Sequence, residues 1–301
     1  MQSLIAELQQ LQISQLFIEE PLSLHTTWKI GGPAELLVIP TNKEELSQLI
    51  AAAHKHHVAW TVLGRGSNVL ALDRGIRGMV IKLGDAFDFV RFDGSFVTAG
   101  AAYSFIKLSV MTAKEGLTGL EYAGGIPGSV GGAVYMNAGA HGSDVSRVLQ
   151  SAEVVTNNGE LETWTKEQFQ FAYRHSALHV SRHVVAEATF ALVPGDRREI
   201  AVAMATYKDR RIRTQPLHMA CAGSVFRNPE GTYAAKLIEE AGLKGMRIGG
   251  AEVSTLHANF IVNTGHATAE DVLALMTTIQ QTVERRTGIR LIPEIMEMGE
   301  R

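Results

Sequence analysis

The spacing of hydrophobic residues along the chain predicts amphipathic helices interspersed with short strands. Leucine recurs at helical spacing near the N-terminus, at Leu4, Leu8, Leu11 and Leu16. The predicted helices cover residues 3–16, 41–56, 104–115, 198–213, 234–241 and 269–287. The predicted strands cover residues 34–39, 60–63, 79–83, 87–92, 96–99, 184–193, 260–262 and 294–298.

Polar residues mark where several of these elements begin and turn. Thr41 and Glu44 form a capping-box pattern at the start of the second helix, and Ser104 is placed to cap the third. The motif Asn157-Asn158-Gly159 lies between two strand-like runs and is a strong hairpin signal. The chain has no fixed-period repeat. Its mixture of predicted helices and short strands predicts an α+β protein of two or three subdomains.

Composition narrows the class of protein further. The 301 residues are 46% hydrophobic and 20% charged with a net charge of −3, which is typical of a globular enzyme and does not support nucleic-acid binding. The single cysteine, Cys221, excludes an intramolecular disulfide and fits a reducing compartment. No signal-peptide pattern and no membrane-spanning apolar run is found. We therefore expect a soluble, cytoplasmic protein without membrane insertion.

Two glycine-rich stretches give the first indication of function, one from Gly64 to Leu70 after a predicted strand and one from Gly124 to Ala140. Glycine permits positive φ and leaves backbone N–H groups uncovered, so such a stretch can bind a pyrophosphate. A helix that starts at Ser129 would add a positive N-terminus. Neither stretch is a P-loop, and Val69 replaces the third glycine of a Rossmann fingerprint. A single stretch of this kind is usually a tight turn, but two together favour a dinucleotide site in another fold.

The residues of both stretches resemble the FAD-binding loops of the UDP-N-acetylenolpyruvoylglucosamine reductases. The resemblance extends from about Leu24 to Met298 and keeps the motif order of that family. The later motifs are Phe171–Ser176, Ala222–Pro229, Gly242–Gly245 and Leu291–Glu294.

The resemblance implies an α+β fold with an FAD-binding domain of the vanillyl-alcohol-oxidase (PCMH) type. That domain has two α+β subdomains and is followed by a smaller C-terminal α+β substrate-binding domain. The implied segments are an N-terminal helix over 1–21, the FAD-binding domain over 22–213 with subdomains 22–77 and 78–213, the C-terminal domain over 214–290, and a terminal strand over 291–301 that returns towards the FAD site.

The resemblance also implies a two-stage reaction in peptidoglycan synthesis. NADPH reduces noncovalently bound FAD and leaves, and the enolpyruvyl substrate then enters the same site and receives hydride on its vinyl CH2 carbon. UDP-N-acetyl-3-O-(1-carboxyvinyl)glucosamine thereby becomes UDP-N-acetylmuramate. The residues implied in FAD binding are Gly64, Arg65, Gly66, Ser67, Asn68, Leu70, Gly124, Gly125, Ile126, Pro127, Gly128, Ser129, Gly131, Gly132, Asn137, Ala138 and Gly139.

Three residues from three motifs are implied in catalysis. Arg174 offers a planar, permanent cation to the enolate-like charge that hydride addition leaves beside the pyruvyl carboxylate. Ser224 is placed to protonate the carbanion carbon. Glu294 either donates a hydrogen bond when protonated or positions a donor when ionised. The residues implied in substrate binding are Asn228, Lys244, His257, His141, Arg213 and Arg227.

The short stretch between Arg174 and Ser224 indicates the shorter subtype of this family, which lacks an inserted loop with a tyrosine that closes over the substrate. Two alternatives stay open: another flavin oxidoreductase on the same FAD scaffold, and a noncatalytic FAD-binding module. The joint presence of Arg174, Ser224 and Glu294 favours the reductase over both. We expect no metal site, and a monomer or weak dimer.

Overall fold

A computed structural model describes residues 1–13 and 15–301 of the chain. These residues form eight α-helices, several of which coincide with the sequence pattern. In chain order they are α1 (Gln2–Gln10), α2 (Lys43–Lys55), α3 (Phe105–Lys114), α4 (Val130–Tyr135), α5 (Leu178–Ser181), α6 (Arg197–Thr214), α7 (Ala234–Glu240) and α8 (Ala269–Thr287).

The described residues also form 18 strands, most of them short. In chain order they are β1 (Leu16–Pro21), β2 (Pro33–Val38), β3 (Trp60–Leu63), β4 (Val69–Ala71), β5 (Ile76–Lys82), β6 (Val90–Asp93), β7 (Phe96–Gly100), β8 (Leu117–Thr118), β9 (Gly139–Ala140), β10 (Ser143–Asp144), β11 (Leu149–Val155), β12 (Leu161–Thr165), β13 (Val184–Ala191), β14 (Val193–Pro194), β15 (Arg247–Ile248), β16 (Ala251–Val253), β17 (Ile261–Asn263) and β18 (Met296–Met298).

The chain folds into two compact units, each built from separate stretches of sequence. The first unit comprises Met1–Ile18, Leu36–Arg65 and Gly78–Asp209. The second unit comprises Glu19–Glu35, Gly66–Arg77 and Arg210–Arg301. The domain boundaries implied by the resemblance stay a prediction, and the two units divide the chain at other positions.

The first unit contains two hydrophobic cores. An antiparallel sheet of five strands, in the order β12-β11-β13-β7-β6, packs with α3 and α4 around one of them. The other core lies under α1 and α2, against a sheet in the order β1-β2-β5-β3. Three strands of that second sheet, β1, β2 and β5, continue along the chain into the other unit.

The second unit has one core, formed by α7, α8 and the antiparallel sheet β15-β16-β17. Helix α8 begins at a capping box between Thr268 and Asp271 and ends at Gly288, where φ is 72°. Its buried side chains recur at helical spacing, as expected for a helix with one apolar face. They include Val272, Leu275, Met276, Ile279 and Val283.

The α+β class is confirmed, and so are several local signals. Ser104 Oγ accepts a hydrogen bond from Lys107 N and begins α3. The predicted hairpin motif connects β11 to β12, with φ of 94° at Gly159. The helix predicted over 269–287 is α8.

The predicted extent of the N-terminal helix is wrong. Helix α1 ends at Gln10, and Leu16 begins β1. The left-handed Gln12, with φ of 60°, turns the chain so that Ile13 is buried while Leu11 is 39% exposed. Leucine spacing alone could not reveal this turn, because Leu11 and Leu16 continue the helical pattern past it.

The predicted N-cap of α2 lies one residue away from the observed one. Asn42, not Thr41, is the N-cap of α2, and its side chain accepts a hydrogen bond from Glu45 N at 2.7 Å. The Glu45 carboxylate in turn accepts from Thr41 N at 2.8 Å. No helix in the described part of the chain is both long and apolar enough to cross a membrane.

Candidate active site

In the first unit, the two glycine-rich stretches approach each other too closely for side chains. A Cβ at Gly64, in the first stretch, would lie 2.9 Å from Ser129 Oγ, in the second. The second stretch bends at Gly128, where φ is 142°, and Ser129 then caps α4 as predicted. The N–H groups of Val130 and Gly131 after this bend donate to the carbonyl oxygens of Tyr103 and Ala101. The glycines of the stretch leave its backbone without side chains, so a pyrophosphate can approach it closely. These residues therefore fit the FAD that the sequence predicts.

The rest of the first glycine-rich stretch lies in the second unit. Gly66 has φ of 63°, and a Cβ there would lie 2.3 Å from the carbonyl oxygen of His25. Asn68 Nδ2 donates to the carbonyl oxygen of Glu294 at 3.2 Å, and Met296 N donates to the carbonyl oxygen of Asn68 at 2.9 Å. The predicted cofactor residue Asn68 and the predicted catalytic residue Glu294 are thus hydrogen-bonded to each other.

Two side-chain hydrogen bonds join the glycine-rich segment of the first unit to the motif Phe171–Ser176. Ser176 Oγ donates to the carbonyl oxygen of Tyr135 at 2.6 Å. Asn137 Nδ2 donates to the carbonyl oxygen of Ala172 at 3.0 Å, while Asn137 Oδ1 accepts from Ser146 N at 3.0 Å. Asn137 was predicted to contact FAD, and its buried amide also holds these two segments together.

Arg174 lies in the turn of this motif, between Ala172 and His175, with φ of 54°. Its Nη2 donates to the carbonyl oxygen of Gly139 at 2.9 Å. Its guanidinium carbon lies 4.9 Å from the ring centre of Tyr173, in the geometry of a cation–π contact. The planar cation is therefore held between a backbone carbonyl and an aromatic face.

His141 and Gly142 form the two-residue turn between β9 and β10, both with positive φ. The His141 ring stacks on Tyr207 of α6, with 3.9 Å between ring centroids and 7° between planes. His141 was predicted to contact substrate, whereas Tyr207 was not singled out in the sequence.

In the second unit, the backbone that follows Ser224 is hydrogen-bonded on both sides. Phe226 N donates to Asn259 Oδ1 at 3.0 Å, and Asn259 Nδ2 donates to the carbonyl oxygen of Phe226 at 2.7 Å. On the other side, Glu294 N donates to the carbonyl oxygen of Val225 at 2.8 Å. The structure thus brings the predicted catalytic residues Ser224 and Glu294 onto neighbouring segments.

His257 and Lys244, both predicted to contact substrate, lie in one polar cluster of this unit. Burial and the positive charge of Lys244 lower the pKa of His257. His257 Nδ1 accepts a hydrogen bond from Asn259 N at 3.3 Å, which leaves the proton of the neutral ring on Nε2. Lys244 Nζ lies 2.6 Å from Glu239 Oε1.

The other predicted substrate residues are less enclosed. Asn228 is exposed, and its Oδ1 accepts from Ala234 N at 3.1 Å. Arg213 is exposed in the last turn of α6, and Arg227 is half-buried. Cys221 is partly buried, and burial raises the pKa of its thiol.

Sequence reasoning missed Asn259 and Tyr207. The available signal for Asn259 was its position between the apolar residues Ala258 and Phe260. Such a position indicates a buried asparagine, and a buried polar side chain must find hydrogen-bond partners. Tyr207 is not part of a hydrophobic pattern that would have marked it in the sequence. In α6 the buried residue is Ile200, whereas Tyr207 is only half-buried.

Two protein-family models match the chain. One describes the UDP-N-acetylenolpyruvoylglucosamine reductase C-terminal domain, over residues 215–298, and the other an FAD binding domain, over residues 34–165. A UDP-N-acetylenolpyruvoylglucosamine reductase of Bacillus licheniformis is 50% identical over 302 residues, which cover 100% of each chain.

Solved structures resemble the chain in the same way. The crystal structure of UDP-N-acetylenolpyruvylglucosamine reductase from Thermus caldophilus has a TM-score of 0.82 and 35% identity, and the match covers 94% of this chain and 98% of that one. Berberine bridge enzyme from Eschscholzia californica has a TM-score of 0.50 and 15% identity over 64% of this chain and 44% of that one, a likeness of fold alone. The predicted combination of a PCMH-type FAD-binding domain with a smaller C-terminal domain is confirmed.

Proposed function

Because the chain belongs to the family of UDP-N-acetylenolpyruvoylglucosamine reductases, we propose that its site performs the reduction for which that family is named. The substrate is the UDP-sugar UDP-N-acetyl-3-O-(1-carboxyvinyl)glucosamine, and the product is UDP-N-acetylmuramate, a precursor of peptidoglycan. The observation that carries the assignment is the pairing of the Ser224 segment with Glu294 through the hydrogen bond from Glu294 N to the carbonyl oxygen of Val225.

FAD is the cofactor and NADPH the reductant. Bound in this chain, FAD would supply the hydride-transfer chemistry that connects NADPH to the vinyl CH2 carbon of the substrate. The close approach of Gly64 to Ser129 and the bend at Gly128 support a pyrophosphate site lined by backbone N–H groups of the first unit.

Arg174 stabilises the charge that develops on the substrate carboxylate as hydride reaches the vinyl CH2 carbon. Its guanidinium is planar and permanently charged, so it can bind both carboxylate oxygens at once. The hydrogen bond to the carbonyl oxygen of Gly139 and the contact with Tyr173 support this role, because both orient the guanidinium plane before substrate binds.

Ser224 donates the proton that completes the reduction, from its hydroxyl to the carbon next to the carboxylate. A serine hydroxyl is a weak acid, but the enolate it meets is strongly basic. Gly223, with φ of 76°, turns the chain immediately before Ser224, and Val225 and Phe226 are fixed immediately after it. A flexible turn followed by a rigid segment supports the presentation of one hydroxyl in one direction.

Glu294 acts beside Ser224, either as a hydrogen-bond donor when protonated or by orienting a donor when ionised. Lys244, Arg213 and Arg227 supply cations for the diphosphate of the UDP-sugar, and Asn228, His257 and His141 contact its remaining groups. The ion pair of Lys244 with Glu239 is exposed on its carboxylate side, so it is weak enough to rearrange when a diphosphate binds.

An anaerobic absorbance titration tests the assignment. The purified protein should be yellow, with noncovalent FAD that acid precipitation releases into the supernatant. NADPH should bleach the flavin absorbance, and the enolpyruvyl substrate should restore it. UDP-N-acetylglucosamine, which lacks the vinyl group, is the matched control and should restore nothing. A protein that is bleached by NADPH but not restored by the enolpyruvyl substrate would be a different flavin enzyme.

We also propose that the protein works in the cytoplasm, where its nucleotide substrates are made, and as a monomer or weak dimer. Sedimentation velocity over a range of protein concentrations tests the second statement. A single species with the mass of a tight tetramer would contradict it.

A further inference from the structure

A tyrosine of α6 contacts the hairpin that holds Arg174, although no feature of the sequence pointed to it. The Tyr207 ring stacks on His141 with 3.9 Å between centroids and 7° between planes, so the two rings are nearly parallel. His141 lies at the tip of the β9–β10 hairpin with φ of 54°, a conformation that a residue with a Cβ rarely adopts. A contact at this tip therefore stabilises a turn that the backbone alone would disfavour.

The base of the same hairpin contacts Arg174. Gly139 pairs with Asp144 across the two strands, and its carbonyl oxygen accepts the hydrogen bond from Arg174 Nη2 at 2.9 Å. A Cβ at Gly139 would lie 2.6 Å from the carbonyl oxygen of Ser143, so the two strands are closely packed here. Displacement of the hairpin tip would therefore move the carbonyl that orients the guanidinium.

These contacts form one continuous path within the first unit, from Tyr207 to His141, through the hairpin to Gly139, and on to Arg174. We propose that Tyr207 is a positioning residue for Arg174, and that its aromatic ring, rather than its hydroxyl, does this by holding the hairpin. The inference rests on the proposed function, because it concerns the substrate that Arg174 receives.

The test separates the two half-reactions by anaerobic stopped flow in the FAD-loaded enzyme. The variants are Tyr207→Ala, which removes the ring, and Tyr207→Phe, which keeps it without the hydroxyl. The matched control is Val202→Ala on the same helix, whose side chain is 65% exposed. A misplacement of about 1 Å in a catalytic group can cost on the order of 100-fold in rate. We expect Tyr207→Ala to slow flavin reoxidation by the enolpyruvyl substrate about 10- to 100-fold.

Three further results are expected if Tyr207 acts through Arg174. Flavin reduction by NADPH and the dissociation constant for FAD should stay near wild type in every variant. Tyr207→Phe should restore the rate to within about 3-fold of wild type, and Val202→Ala should match wild type. In a background of Arg174→Lys, adding Tyr207→Ala should slow reoxidation far less than it does alone, because residues that act as a unit are not additive.

Specific outcomes would overturn the inference. Additive effects of Tyr207→Ala and Arg174→Lys would show that Tyr207 acts independently of Arg174, as would equal slowing of both half-reactions. A Tyr207→Phe variant as slow as Tyr207→Ala would assign the effect to the hydroxyl instead. If Tyr207→Ala fails to fold, the comparison of Tyr207→Phe with Tyr207→Leu, which fills space without a planar ring, decides the same question. Failure of the wild-type enzyme to reoxidise with the enolpyruvyl substrate would refute the proposed function and this inference with it, whereas the outcomes above overturn the inference alone.

Discussion

Replacing Asn259 with alanine should destabilise the segment that carries Ser224. The loss of stability should exceed that caused by removing any single contact of Ser224 itself. Asn259 is 3% exposed and Phe226 is 1% exposed. The side-chain oxygen and nitrogen of Asn259 therefore both form hydrogen bonds with buried backbone atoms of Phe226. Asn259→Ala leaves the N–H and the carbonyl of Phe226 without these partners. An orphaned buried polar group costs about 1–3 kcal/mol, so the two together should lower the free energy of unfolding by about 2–6 kcal/mol.

Urea denaturation measures this loss, and hydrogen exchange of the Phe226 amide localises it. The control is Asn42→Ala, which removes one exposed capping hydrogen bond from Glu45 N and should cost about 1 kcal/mol. Protection of the Phe226 amide should fall in Asn259→Ala and stay unchanged in Asn42→Ala. If Asn259→Ala loses no more stability than the control, water or a local rearrangement satisfies Phe226 and the structural role assigned to Asn259 is wrong.

The same substitution should separate the two half-reactions. Ser224 lies two residues before Phe226, so loosening the segment should slow reoxidation of the flavin by the enolpyruvyl substrate about 100-fold. Reduction by NADPH needs no proton on carbon and should change much less. Equal slowing of both half-reactions would indicate general damage to the fold instead.

Four further results are expected. Initial-rate plots against NADPH and the enolpyruvyl substrate should be parallel, with substrate inhibition at high concentration, and intersecting lines would exclude a shared nucleotide site. Arg174→Lys and Glu294→Gln should each slow flavin reoxidation more than flavin reduction in stopped flow. A larger effect on flavin reduction would show that neither residue acts in the transfer of hydride and proton to the substrate. Ser224→Ala should lower turnover by about 10²- to 10⁴-fold while Ser224→Cys retains more activity, whereas a near-wild-type alanine variant would exclude Ser224 as the acid. Because the folded protein has a lowered pKa at His257, the unfolded chain binds more protons as pH falls below about 6.5, and wild-type stability should drop there. His257→Gln should make that drop smaller, and the part that remains is due to His183, whose pKa is also lowered by burial.

Sequence patterns predicted elements well where one local signal decides the structure. The cap at Ser104 and the turn at Gly159 depend on neighbouring residues only, and both are confirmed. The end of α1 depends on the left-handed Gln12 and on burial of Ile13 in a core shared with distant strands. A periodic pattern cannot encode such a long-range preference, which is why Leu16 was assigned to the wrong element.

The candidate site was predictable as a set of motifs, but the task of each residue within a motif was not. Asn68 and Asn137 were both predicted to contact FAD, and both use their amides to connect separate backbone segments. Asn259 has the same kind of task near Ser224. A motif can preserve an asparagine because it binds a ligand or because it satisfies a buried backbone, and only the hydrogen-bond partners distinguish the two.

The way each proposed catalytic residue is held decides how its substitution can be interpreted. Glu294 is fixed by its backbone, since its N–H donates to Val225 and its carbonyl accepts from Asn68. Glu294→Gln therefore keeps both of these backbone hydrogen bonds. Arg174, by contrast, is held through its guanidinium on the carbonyl of Gly139, so Arg174→Lys alters both the charge distribution and the anchor. A loss of rate in Glu294→Gln consequently reports the chemistry of the carboxyl group. A loss of rate in Arg174→Lys has two contributions, one from the changed chemistry and one from the changed position of the cation. The coupling of Arg174 with Tyr207 measures the contribution from position.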